Sequence, residues 1–251
     1  MRLFGLIGSP LEHSFSPEYF RKKFAEEKIE AEYRLFPLSS ISRFPGLLRD
    51  HPYLEGLNVT IPYKQEVIPF ISELEEEAQS IGAVNTIAIR RKGPKPIGTI
   101  GYNTDAYGFE YSLKPLLLPF HSKALILGTG GSAQTVSFVL DKLGLDVLYA
   151  SRQENPAKNV IGYDAITTAH IRERNLIINT TPVGMFPDVS TKPPIPYSAL
   201  GNQHLLFDLV YNPSTTAFLY EGLKQGATIK NGYEMLQLQA ERSWEIWNAS
   251  T

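Results

Sequence analysis

Three residues within Gly56-Leu-Asn-Val-Thr-Ile-Pro-Tyr-Lys64 carry an amide, a hydroxyl and an ammonium: Asn58, Thr60 and Lys64. Asn58-Val-Thr-Ile61 alternates polar and apolar, the pattern of a half-buried strand. Side chains at i and i+2 share a strand face, so Asn58 and Thr60 are expected to point together. Pro62 has no N–H to donate and stops the ladder, and Lys64 follows that break. Such a trio suits gripping a small polyhydroxylated molecule and moving a proton on it. Taken alone, the same residues also fit a solvated strand face and a surface lysine, so the rest of the chain decides.

A second chemical signal is Gly128-Thr-Gly-Gly-Ser-Ala133, a G-x-G-x-x-[G/A] loop directly after an apolar β run and at the start of a helix. Gly128 permits the tight turn, Gly130 lets a pyrophosphate approach the backbone, and Ala133 keeps the helix close to the sheet. Together with Thr129, Gly131 and Ser132 they present the free N–H groups of a helix start to phosphates. An NAD site would carry Asp or Glu at the end of the next strand. This chain reads Tyr149-Ala-Ser151-Arg152 there. The guanidinium of Arg152 can fork onto a 2′-phosphate, and Ser151 can add a hydroxyl. NADP is therefore expected over NAD.

Composition narrows the classes. The 251 residues suffice for one large or two modest domains. Lys and Arg number 24 against 26 Asp and Glu, so nothing suggests nucleic acid or an anionic membrane as partner. No cysteine is present, which excludes disulfides, thiolate catalysis and Cys-ligated metal. The five histidines (His13, His51, His121, His170 and His204) lack metal-site spacing, and no metal is expected. Met1–Gly8 reads as a buried first strand rather than a leader, no apolar stretch is long enough to span a membrane, and the expected compartment is the cytoplasm.

The elements that must position these residues alternate. Strands are expected at Leu3–Ile7, 31–35, 56–61 and 84–90. Helices are expected over 17–28, 42–50 and 69–81, with Glu73-Leu-Glu-Glu-Glu77 on a solvated helix face and 91–96 as a turn or surface loop. The 17–28 helix would be capped by Ser16, with Pro17 at its first position. From Lys123 onward, β runs at 123–128, 146–151, 176–181, 205–211 and 227–229 alternate with helices, which predicts a parallel, doubly wound sheet. A last amphipathic helix, 233–248, is expected to pack back on the first domain.

Further polar clusters stand where β patterns end. HSxSP occupies 13–17, GAVNT 82–86 and GxNTDxxG 101–108. NTTPxGM lies at 179–185, DxxYxP at 208–213 and GxxMLxxQ at 232–239. With GxNVTxPxK at 56–64 and the glycine loop, these eight motifs in this order resemble the shikimate dehydrogenase family over essentially the whole chain.

The resemblance implies an α/β fold of two domains, a substrate-binding α/β domain (1–102 plus 233–251) and a Rossmann-type NADP-binding domain (103–232), with a cleft between them. It implies NADPH-dependent, reversible reduction of 3-dehydroshikimate to shikimate, with Lys64 and Asp105 as the catalytic pair. Ser14 and Ser16 would hold the substrate carboxylate, and Asn58, Thr60, Asn85, Tyr211 and Gln239 would contact ring hydroxyls or carboxylate. Beside the glycine loop, Ser151 and Arg152, the cofactor would meet Thr180, and Leu209, Gly232 and Met235 would lie near the nicotinamide. The expected assembly is a monomer or homodimer. Two departures stand out. Phe20 and Arg21 replace the family's frequent His-Asn, which predicts a packing change. Ser151-Arg152-Gln153 replaces Asn-Arg-Thr, which keeps the arginine and loses two small polar contacts. The alternatives are a quinate/shikimate dehydrogenase using NAD, a non-catalytic NADP-binding sensor and a folate-linked dehydrogenase. Ser14, Arg152, the Lys64–Asp105 pair and Gln239 tilt against them.

Overall fold

The computed structural model describes residues 1–11 and 14–249; His13, which opens the HSxSP motif, lies outside the described residues. Two compact units emerge, Met1–Gly108 with Leu236–Thr251, and Phe109–Met235.

The first unit runs β1 (Arg2–Gly8), α1 (Ser16–Glu26), β2 (Ala31–Pro37), α2 (Phe44–Asp50), β3 (Leu54–Val59), α3 (Tyr63–Glu66), β4 (Glu73–Leu74), α4 (Glu76–Ile81), β5 (Thr86–Lys92), β6 (Lys95–Tyr102) and the start of α5 (Thr104–Leu113). Its mixed sheet has the order β2-β1-β3-β5-β6-β4. Strands β1, β2 and β3 pair in parallel, and β5 is antiparallel to both β3 and β6. Apolar side chains cover both faces. Leu3, Ile7, Leu57 and Val59 enter one core with Phe44 and Leu47, while Phe4 enters another with Phe20 and Phe24.

Several local expectations change. β3 is not half-buried: every residue from Gly56 to Val59 is buried, and the strand stops before Thr60. Ile61 lies beyond it and is 67% exposed. Ser16 does not cap α1, because it is the first helical residue and the cap position, Phe15, makes no side-chain cap. The helix expected over 69–81 is broken by the short strand β4, which pairs with β6. Within the acidic run, Glu75 caps α4 through Glu77 N and Ala78 N, and Glu73 pairs with Arg90. The 91–96 segment is a hairpin: Lys92 pairs with Lys95, and β6, unread from sequence, follows at once.

The second unit runs β7 (Lys123–Leu127), α6 (Gly131–Lys142), β8 (Asp146–Ser151), β9 (Val160–Gly162), α7 (Thr168–Glu173), β10 (Leu176–Asn179), β11 (Leu205–Asp208), α8 (Ala217–Lys224) and β12 (Thr228–Asn231). Every ladder in its sheet, ordered β12-β11-β10-β7-β8-β9, is parallel. The strand order reverses between β7 and β10. Open sheets of this kind bind ligands beyond the carboxyl ends of the strands at that point.

The chain then forms α9 (Tyr233–Ala249), whose residues from Leu236 onward belong to the first unit. Trp247 stacks on Phe4 with ring centroids 4.8 Å apart, and its indole N–H donates to the Ile87 carbonyl at 3.0 Å. Gly56 makes room for it, since a Cβ there would overlap the indole. Phe20, one of the two departures from the family pattern, is fully buried against Tyr33 and Trp247, whereas Arg21 is exposed.

Candidate active site

Pro62 and the one-turn helix α3 carry the chain out of β3 and set Lys64 beside the start of α5. The Lys64 ammonium donates to Asp105 Oδ2 at 2.6 Å, with side-chain exposures of 22% and 14%. Asp105 is thus the lysine's charge partner. Capping of α5 falls to Asn103, whose Oδ1 accepts from Ala106 N at 3.1 Å while its amide donates to Ala83 O. A charge-assisted pair that remains partly open to solvent can hold an ammonium in place and still present it to a ligand.

Next to this pair lies a buried polar network. Asn85 accepts from Thr104 N at 2.6 Å and donates to Thr104 Oγ1 at 3.0 Å and to Gln239 Oε1 at 3.5 Å. Asn58, 4% exposed, donates to Ser243 Oγ at 2.9 Å and Thr86 Oγ1 at 3.1 Å, and accepts from Tyr33 OH at 2.8 Å. Tyr33 also bonds Ser16, and burial pushes its phenol well above the ordinary tyrosine range. Asn58, Asn85, Gln239 and, through Tyr33, Ser16 are therefore joined in one system. In this arrangement the Asn58 amide is spent on internal partners. Thr60 is half-buried, and its hydroxyl has no partner among the described residues. The Ser14 hydroxyl donates to Leu11 O at 2.8 Å. Thr86 and Thr104 stand in the GAVNT and GxNTDxxG motifs without an assigned role, and Ser243 was not singled out from the sequence. Ser243 could have been, because it sits one helical turn from Gln239 and bonds its carbonyl at 2.9 Å.

In the second unit, Gly128 ends β7 with φ +113°. A Cβ there would sit 2.7 Å from Thr180 Oγ1, whose hydroxyl donates to Leu127 O. Gly130 precedes α6 with no side-chain cap, and a Cβ on Gly130 or Gly131 would meet nothing within 4 Å. The backbone N–H groups of Gly131, Ser132 and Ala133 start the helix without intrahelical acceptors, beside open space. Such a helix start has the donors and the room that a phosphate group needs. Beside it lies a cavity of about 390 Å³ lined by Thr129, Tyr149, Ser151, Glu154 and Lys158 among others. Arg152 is exposed, and its charge acts on the half-buried Tyr163. The cation on the cavity wall is Lys158, held on a tight loop by paired Asn155–Val160 backbone bonds; nothing in the sequence marked it. Glycine loop, uncapped helix start, serine and two nearby cations fit a dinucleotide with a 2′-phosphate.

The ends of β10 and β11 are tied together. Asp208 is fully buried, and burial pushes its carboxyl up to about 6 against three hydrogen bonds that lower it. Leu209 and Tyr211 follow in the next loop, both half-buried, and burial also raises the Tyr211 phenol. Gly232 is buried where a Cβ would overlap the Leu209 carbonyl, and Met235 is buried in the first turn of α9. Among the described residues no group of three or more His, Asp or Glu side chains could hold a metal, and no helix is long and apolar enough to cross a membrane.

Residues 6–87 match the family model for the shikimate dehydrogenase substrate binding domain. A shikimate dehydrogenase (NADP(+)) of Methanococcus vannielii is 36% identical over 265 residues, covering 98% of this chain and 90% of the relative. A shikimate dehydrogenase solved with NADP+ superposes with TM-score 0.87 at 31% identity, covering 99% of this chain and 90% of that one. The enzyme of Thermus thermophilus, solved with NADP(H) and shikimate, gives TM-score 0.85 at 30% identity, covering 99% and 94%.

Proposed function

The chain belongs to the shikimate dehydrogenase family, and we propose from that premise that it reduces 3-dehydroshikimate to shikimate, reversibly, with NADPH. The observation that carries this reading is the Lys64–Asp105 pair at 2.6 Å, set among buried amides and hydroxyls in the unit that contains the matched substrate domain.

Bound NADPH would supply the hydride for the C3 carbonyl. The chain's own work is at the oxygen. Negative charge grows there as the carbonyl is reduced, and an ammonium within hydrogen-bond reach stabilises it and then donates the proton. Asp105 fixes the Lys64 ammonium in one direction and keeps a countercharge beside it. In the reverse direction Lys64, as the neutral amine, takes the hydroxyl proton.

For the substrate, Ser14 and Ser16 hold the carboxylate, and Thr60, Asn85, Gln239, Tyr211 and Asn58 address the ring and its substituents. Thr60 has a hydroxyl to give at once. Asn58 must exchange an internal bond to do so. For the cofactor, the residues from Gly128 to Ala133 cradle the pyrophosphate, and Ser151 and Arg152 with Lys158 take the adenosine end. Thr180, Leu209, Gly232 and Met235 serve the nicotinamide side. The cytoplasm as compartment and a monomer or homodimer as assembly rest on the sequence alone.

The test is a nicotinamide absorbance assay of the purified protein with shikimate or quinate against NADP+ or NAD+. Shikimate with NADP+ is the expected best pair. Quinate with NAD+ as the better pair would replace this reading with its rival, and no turnover on any pair would leave a binding protein.

A further inference from the structure

Asp208 is a buried carboxylate to which the proposed chemistry gives no task. No ion pair of its own is found among the described residues. Instead it is shared among three donors. Oδ1 accepts from the Asn179 amide at 2.9 Å and from Val210 N at 3.0 Å, and Oδ2 accepts from the Thr216 hydroxyl at 2.5 Å. Each donor belongs to a different piece of backbone at the carboxyl edge of the sheet. Asn179 ends β10, and its Oδ1 accepts from both the N–H and the hydroxyl of Thr181, so the loop after β10 is fixed through it. Val210 lies in the loop after β11, and Thr216 is the N-cap of α8. The Leu209 N–H donates to the Asn179 carbonyl at 3.0 Å, which closes the two loops against each other.

We propose that Asp208 is a positioning residue for the dinucleotide, holding the loops after β10 and β11 in the register that the cofactor requires. The proposal rests on the reading of the second unit as the NADP-binding domain. Its physical basis is that a fully buried carboxylate without a counter-ion is costly. The cost is borne where one small group must collect several donors at fixed directions. Two carboxylate oxygens have about four acceptor sites, so one small side chain takes all three donors without any of them turning. Thr180, whose hydroxyl meets the end of β7 beneath the glycine loop, follows Asn179 directly. The network therefore reaches the phosphate cradle by way of a single peptide.

The test is NADPH binding, followed by nicotinamide fluorescence, together with steady-state kinetics and thermal unfolding of wild type, Asp208→Ala and Asp208→Asn. Removing a buried acceptor that orders a binding loop should weaken NADPH on the order of tenfold in Asp208→Ala. The KM for shikimate should rise clearly less, because among the residues assigned to the substrate only Tyr211 lies in a loop tied to this network. Asp208→Asn should recover most of the affinity, since its Oδ1 still accepts from Asn179 and Val210, and the Thr216 hydroxyl can turn to accept. If Asp208→Ala does not fold, Asn179→Ala, which leaves the carboxylate and cuts its tie to the first loop, carries the same expectation. A folded Asp208→Ala or Asn179→Ala with NADPH affinity equal to wild type, or with both Michaelis constants raised alike, overturns the proposal. Wild type that binds no NADPH would overturn the cofactor reading and this inference with it.

Discussion

At the scale of single residues, Lys64 has the clearest expected phenotype. General acid–base assistance is worth ~10²–10⁴-fold, so Lys64→Ala should lower kcat by about that factor while the KM for shikimate changes far less. Wild-type-like turnover in the purified variant would remove Lys64 from the chemistry. On the proposed reading, Arg152 and Lys158 divide the adenosine end between them. Replacing either with Ala should raise the KM for NADPH more than that for NADH, and equal effects on both cofactors would show that neither meets the 2′-phosphate. Asp208 makes a prediction about stability. Its carboxyl lies at about 6 in the fold against an ordinary 3.8, so between those values the native state binds more protons than the unfolded state. The contribution is fully present at the acid end and is lost as pH rises through about 6. Asp208→Asn does not titrate. Its stability relative to wild type should therefore improve by about 2 kcal/mol between about pH 4 and pH 7, read from urea unfolding of both proteins. A gap that is constant with pH would show that the carboxyl is not raised.

At the scale of elements, α9 is the piece whose loss is easiest to forecast. Trp247 fills the core against Phe4 and Phe20, and Trp247→Ala should cost about 3–5 kcal/mol in denaturant unfolding. A loss below about 1 kcal/mol would mean the core closes over the gap. The ordering of elements was largely legible in the sequence, because apolar runs bounded by Gly, Pro and polar clusters mark β1, β7, β8, α6 and α9 directly. Reading failed where tertiary bonds outvoted local pattern. Ser72 and Glu75 are tied to Thr99 and Gly101 of β6, and that breaks a helix the acidic run could have formed alone. Arg91-Lys-Gly-Pro-Lys-Pro96 has the punctuation of a loop, yet pairing of β5 with β6 makes most of it strand. Motif order brought Lys64 and Asp105 together as candidates across a gap of 41 residues. Ser243 was within reach through its i+4 spacing from Gln239, whereas Lys158 was invisible because it stands in no spacing that chemistry demands.

At the scale of the whole molecule, the proposed reading gives the two units different ligands, and the chain gives them different probes. Both tryptophans, Trp244 and Trp247, lie on α9 in the first unit, so tryptophan fluorescence reports that unit. Dinucleotide is expected in the second. NADP+ at roughly 100 times its Kd should add about 2.7 kcal/mol to the unit that binds it. The urea midpoint followed by circular dichroism should then rise more than the midpoint followed by fluorescence. An identical shift of both would show that the chain unfolds as one cooperative body. The path of the chain has a further consequence, for its synthesis. The second unit is one continuous stretch and can complete itself as soon as it leaves the ribosome. The first cannot, because the helix that covers Phe4 and Phe20 is translated only after the whole second unit. At ~5–20 residues per second, the aromatic face of β1 and α1 waits roughly 6–25 s for its cover while the intervening unit is made. A nascent chain paused before Leu236 should therefore be the species that chaperones hold and that aggregates when they are scarce.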